Sequence, residues 1–181
     1  MMANLTIDNI EQQLHAAENA FSRFCSSLSD EQFFYQPEGK WSPAQQVKHL
    51  IVAADNTKLA FALPKFIVRW YAGKPNRPSR SYDELVDKYK LKLIQGGKAS
   101  GRFIPKPILA SYGKQKMLGQ FKRSMDELAH AIKSKWKEPQ LDQYIVPHPL
   151  LGKITLRELG YFTIHHTYHH LESIQKMTSG I

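Results

Sequence analysis

A single cysteine, Cys25, in 181 residues excludes an internal disulfide framework and suits a reducing compartment. Long apolar runs are also missing. The most apolar region, Val47 to Tyr71, is broken by Asp55, Asn56, Lys58, Pro64, Lys65 and Arg69, and makes a poor membrane span. The opening stretch MMANLTIDNIEQQL is polar and acidic, without the basic-then-apolar order of a signal peptide. A cytoplasmic protein with no membrane association is therefore expected. No Gly-rich phosphate loop follows a strand-like segment, and GxSxG, HExxH and paired CxxC are all lacking. These absences disfavour nucleotide hydrolases, serine hydrolases and zinc ribbons. No run alternates like a strand, and no internal repeat is present. The chain that remains is 42% hydrophobic and 23% charged, long enough for one well-buried core and short for two. A single domain over residues 1–181 is expected.

Acidic residues are too few to balance the basic ones, and the net charge is +9. The excess is concentrated. Between Gly73 and Lys106 lie nine Lys/Arg and three Asp/Glu, so +6 of the +9 sits in one connecting region. Such a region can draw in an anionic small molecule, an acidic partner or a phosphate backbone, or can simply be solvated. Its confinement to one segment weakens a nucleic-acid reading of the whole chain.

Helical patterns dominate. The first runs from about Thr6 to Ser27, with Ile7, Ile10, Leu14, Ala17, Phe21 and Phe24 or Cys25 at three- and four-residue steps. Ser29 to Lys40, with Pro37 and Gly39, reads as a loop. The second helix starts at Trp41-Ser-Pro-Ala-Gln45, with Ser42 as N-cap, Pro43 in the first position and Gln45 closing a capping box. It should end near Leu63, before Pro64; Lys65 to Tyr71 is open between helix and loop. A Pro- and Arg-rich linker, Lys74 to Ser81, leads to a capping box at Ser81–Glu84 and a short helix to about Ile94. Gly96, Gly97 and Gly101 mark a flexible loop that ends at Pro105 and Pro107. The third long helix runs from Leu109 or Lys114 to Trp136, with the stripe Met117, Phe121, Met125 (or Ser124), Leu128 and Ile132. Pro147 to Lys153 reads as a turn, and Thr155–Glu158 caps a last helix reaching about Met177. The sum is an all-α four-helix bundle, with a basic loop and short helix inserted before the third long helix.

The last helix carries HHTYHH, four histidines in six residues. Residues four apart share a helix face, so His165/His169 and His166/His170 are each spaced to bind one metal together. The apolar stripe Leu159, Phe162, Ile174 and Met177 puts His166 and His170 on the core side, with His169 at the margin and His165 nearer the other side, among Arg157, Tyr161 and Glu172. Two desolvated imidazoles need separate partners, because each neutral ring keeps a donor and an acceptor; one shared cation satisfies both acceptors. A third ligand must come from a facing helix. His15, His49, His130 and His148 are the candidates, and spacing favours His49.

The helix beginning Trp-Ser-Pro and carrying His49 in KHL, followed by LGKITLRELGYFTIHHTYHHLESI, resembles the DinB/YfiT-like superfamily from about Ile10 to Met177. The segment PHPLLGK is similar to that of many members. The resemblance implies a four-helix bundle with one metal-binding histidine on the second helix, His49, and an HxxxH pair on the last, His166 and His170. A second HxxxH, His165/His169, departs from that pattern by overlapping it one residue earlier.

Three imidazoles on a divalent ion, zinc or nickel foremost, leave a position open to water or substrate, which is the catalytic rather than the structural arrangement. The resemblance implies a thiol-dependent S-transferase or isomerase using a low-molecular-weight thiol. The basic loop, through Arg77, Arg80 and Arg102, is then expected to hold the carboxylates of that thiol or of an anionic substrate. The alternatives are a non-catalytic metal-binding bundle and a stress-response nucleic-acid-binding module. A homodimer is expected on general grounds alone. Cys25 sits at core spacing among Phe21, Phe24 and Leu28 and reads as an inert buried thiol.

Overall fold

The computed structural model describes residues 5–178, so the first four residues of the N-terminal stretch read for a targeting segment lie outside it. Four long helices form the bundle: α1 (Ile7–Ser27), α3 (Pro43–Ala62), α6 (Lys114–Lys135) and α8 (Leu156–Thr178). Three of the four, α1, α3 and α8, begin at a capping box. The side chains of Thr6, Ser42 and Thr155 all accept a hydrogen bond from the backbone N–H three residues on, and the side-chain oxygens of Asn9, Gln45 and Glu158 accept one from the cap's own backbone N–H. Packing is cyclic: α1 lies against α6 and α8, and α3 lies against the same two. The stripes expected from spacing meet at the centre. Ile10, Leu14, Ala17, Phe21 and Cys25 of α1 are buried with Met117, Phe121, Met125, Leu128 and Ile132 of α6. The Phe21 and Phe121 rings meet edge to face at 5.3 Å. Gly160 allows α1 to close on α8, since a Cβ there would stand 3.2 Å from Ile10 Cγ2. The fold is a four-helix bundle, and no helix among the described residues is long and apolar enough to cross a membrane.

Several short elements decorate it. The segment expected as loop after α1 contains α2 (Asp30–Phe34), capped by Ser29 and Gln32; its five residues are too few for periodicity to reveal. Lys65–Ala72 is helical, as α4, and α5 (Tyr82–Ile94) starts from the expected Ser81 box. A further turn of helix, α7 (Glu138–Gln143), follows α6.

Residues 145–155 add a small hairpin to the all-α bundle, where the sequence reads Pro147 to Lys153 as a turn alone. β1 (Ile145–His148) and β2 (Gly152–Thr155) form an antiparallel hairpin, pairing Val146 with Ile154 and His148 with Gly152. Strands of four residues, one of them holding Pro147, leave no alternating run to read. β2 ends on Thr155, which caps α8, so the hairpin aims the last helix directly.

Candidate metal centre

The capping box at Ser42 fixes the start of α3, and with it the face that carries Gln46 and His49 inward. On α8, His166 and His170 lie one turn apart on the side facing α3. All three histidines are buried, at 5–8% exposure. Their ligand nitrogens lie within 4.8 Å of one another. His166 Nε2 stands 3.0 Å from His49 Nε2 and 3.1 Å from His170 Nε2.

Hydrogen bonds at the other ring nitrogen set the tautomers. His49 Nδ1 donates to the Phe103 carbonyl at 2.7 Å, and His170 Nδ1 donates to Gln46 Oε1 at 2.8 Å. Each of those rings therefore presents an unprotonated Nε2 toward His166. A proton on His166 Nε2 can serve only one of the two facing lone pairs. One cation serves all three nitrogens. Nitrogens sharing a zinc at about 2.0–2.1 Å would stand about 3.3 Å apart in a tetrahedral site, close to the two separations observed. The donor set thus fits a divalent ion.

Protonation is opposed here. Burial lowers the pKa of His166 and His170 well below the ordinary imidazole value, and neighbouring histidines reinforce it. Burial lowers that of His49 too, against the opposing Phe103 hydrogen bond. The rings are held in the neutral form that metal ligation needs. Trp41 covers the cluster, its ring nearly parallel to His170 at 6.4 Å.

The cluster opens on a cavity of about 300 Å³. Its wall is mainly apolar, with Leu93, Val146, Leu150, Leu159 and Phe162, and Lys98 is its one Lys or Arg among the described residues. Three ligands and an adjoining cavity leave a coordination position that a small molecule could take.

His49 is the facing-helix histidine that the structure brings to His166 and His170. The other candidates fall elsewhere. His15 pairs with Asp126 at 3.4 Å away from the cluster, and His130 is exposed. His148 lies in the cavity wall rather than in the cluster. His165 and His169, the second register, meet the Tyr89 ring edge to face at 5.7 and 5.8 Å. The side of α8 that carries His165 with Arg157 and Tyr161 is itself buried at those last two residues. Arg157 is bound by Asp142 and Glu138, and the Tyr161 hydroxyl accepts from Leu5 N at 2.9 Å. Cys25 is fully buried, and burial pushes its thiol up to about 12.

Arg77, Arg80 and Arg102 do not line the cavity. Arg77 forms a fork on Glu158 at 2.7 and 2.8 Å, and Arg80 adds its guanidinium at 3.1 Å and its backbone N–H at 2.8 Å. Glu158 is fully buried, so two guanidiniums are drawn in to compensate it. Burial alone would raise its pKa; the Arg77 hydrogen bonds and backbone donors outweigh that and hold it below the usual carboxylate value. Arg102 lies over the Phe103 ring and borders a separate, smaller depression. The basic insertion reaches the metal centre through the Phe103 carbonyl instead.

Sequence reasoning missed that carbonyl, Gln46 and Lys98. Only Gln46 left a signal, three residues before His49 on the same face; a carbonyl carries no side-chain signature at all.

A solved structure titled as TT2238, a four-helix bundle protein, is similar to this chain with a TM-score of 0.57 at 15% identity, covering 94% of this chain and 99% of that one. At that identity the likeness is one of fold. No curated protein matches. The sequence model of the DinB superfamily matches residues 13–174, a span that holds His49, the cavity wall and the His166/His170 pair, and the chain belongs to that superfamily.

Proposed function

We propose that the protein is a metal-dependent enzyme of the thiol-using kind, an S-transferase or related isomerase, working in the cytoplasm. One observation carries the reading: two rings whose tautomers are fixed by Phe103 and Gln46 aim their free nitrogens at the same point as His166, beside a cavity. A zinc or nickel ion bound there would supply a Lewis-acidic charge favouring a thiolate at its open side. His49, His166 and His170 hold the ion. The Phe103 carbonyl and Gln46 orient two of those rings and raise their basicity. Trp41 and the apolar wall exclude water from the approach.

Elemental analysis of untagged protein tests the site: metal should co-purify with wild type and fall to background in His49→Ala, His166→Ala and His170→Ala, while His165→Ala retains it. Thiol transfer to a small electrophile should then be lost on chelation and restored by zinc or nickel. A non-catalytic metal-binding bundle is the second reading, favoured by the near-complete burial of the three rings. Chelation lowers the melting temperature under both readings. Only the enzyme also loses a turnover.

A further inference from the structure

We propose that His148 is the substrate-recognising hydrogen-bond donor of this cavity, its Nε2–H binding a carboxylate or carbonyl oxygen of the ligand whose thiol reaches the metal position. The inference rests on the thiol reading above and names the second functional group that such a ligand must carry.

The tautomer is dictated by the hairpin. His148 Nδ1 accepts from the backbone N–H groups of both Leu150 and Leu151, each at 3.2 Å. A nitrogen that accepts twice carries no proton, so the single proton of the neutral ring sits on Nε2. No described residue supplies an acceptor for that N–H. No described side-chain polar atom is both sealed from solvent and unpartnered, so the donor faces open space, and the space this ring borders is the cavity. Burial pushes the His148 pKa down to about 4, so the ring stays neutral with this tautomer fixed.

Position sets the kind of ligand. The His148 ring meets Phe162 at 4.2 Å, and Phe162 stacks on His166 at 4.8 Å. The centres of the His148 and His166 rings therefore lie no farther apart than the sum of those two distances, a gap that a short-chain ligand can bridge. Between them the wall is apolar, so a short thiol with an acceptor oxygen at its far end matches the lining. Lys98, exposed on the glycine-rich loop, is the cation of the described lining and the main competitor for that oxygen, beside the uncharged Asn56, Thr57, Tyr89 and Ser100.

The test uses the cobalt(II)-loaded protein and two probes, 3-mercaptopropionate and propane-1-thiol, titrated against the visible cobalt bands. His148→Asn is the variant of choice, since the Asn side-chain oxygen can still accept from the two turn amides. Expected is a preference for the acid-bearing thiol that falls roughly tenfold or more in His148→Asn, with the plain thiol unchanged. An unaltered preference overturns the proposal. So does a preference lost in Lys98→Met but kept in His148→Asn, which would move recognition to the lysine. If neither thiol perturbs the cobalt spectrum, the thiol reading itself fails and the proposal goes with it. Nitrogen chemical shifts of His148 in the metal-free protein give an independent check, and a protonated Nδ1 would also overturn it.

Discussion

Two buried polar clusters lie on the last helix, about two turns apart, and they reach opposite solutions. At its head, Glu158 faces Arg77 and Arg80, while Arg157 faces Asp142 and Glu138. Opposite charges there satisfy one another, so the cluster is closed and its work is mechanical. It ties the basic insertion and the hairpin to the start of α8. In the middle of the helix, three like bases face each other, and no arrangement of their own protons satisfies all three nitrogens. A closed cluster marks architecture, whereas three buried like bases facing one another make a candidate site for a cation.

The sharpest way to break the contrast is to remove His166, which stands between the other two ligand nitrogens. His166→Ala should take metal uptake to background. Chelator should then leave its melting temperature unmoved while lowering that of wild type, as measured by thermal unfolding with and without chelator. Glu158→Ala should do the reverse. It leaves Arg77 and Arg80 without their carboxylate and should cost about 3 kcal/mol in denaturant unfolding, the low end for a broken buried pair because both arginines are partly exposed. Metal content of the folded fraction should persist. Loss of metal in that variant would show that the two clusters are one unit.

Gln46→Ala sharpens the comparison within the histidine cluster. It leaves all three ligands in place but frees His170 to rotate or change tautomer. Metal affinity should drop roughly 10- to 100-fold in a competition titration, with Phe103 untouched. An equal affinity would mean that packing by Trp41 alone orients the ring.

The same contrast explains what was legible in the sequence. His166 and His170 could be read because helical spacing and the Leu159 and Phe162 stripe put them on the core side. Two of the long helices, and the short α5, could be read because Ser42, Thr155 and Ser81 announce their starts chemically. Arg77, Arg80 and Arg102 could not, because a basic run says where charge is and nothing about which carboxylate it meets. Glu158 was visible only as a capping residue, and its second task as the anchor for both arginines depends on a tertiary approach across some eighty residues of chain. The hairpin escaped for a simpler reason: four-residue strands give periodicity nothing to count. With it went Val146 as part of the cavity wall and the place of His148, which the sequence offered only as a candidate ligand.

Acid should separate the clusters by the pH at which each fails. The buried histidines are neutral when folded, with pKa values below the ordinary 6.5, so the unfolded chain binds more protons once pH drops under that value. Their stabilising share is complete above about pH 6.5 and shrinks as pH falls toward the folded values, near 4 for His148. Glu158 has its folded pKa below the ordinary 4.5, so its share is intact above 4.5 and lost only below it. Stability of the metal-free protein should therefore decline between pH 6.5 and 4.5 through the histidines alone, and more steeply below. His148→Asn should flatten the upper limb by about 2 kcal/mol between pH 7 and 5, because one ring is removed and its neighbours remain. Denaturant unfolding at those two pH values, with chelator present, measures it. A wild-type limb that stays level to pH 5 would mean that the central rings already take up protons when folded, and the argument for free Nε2 lone pairs on His49 and His170 would no longer hold.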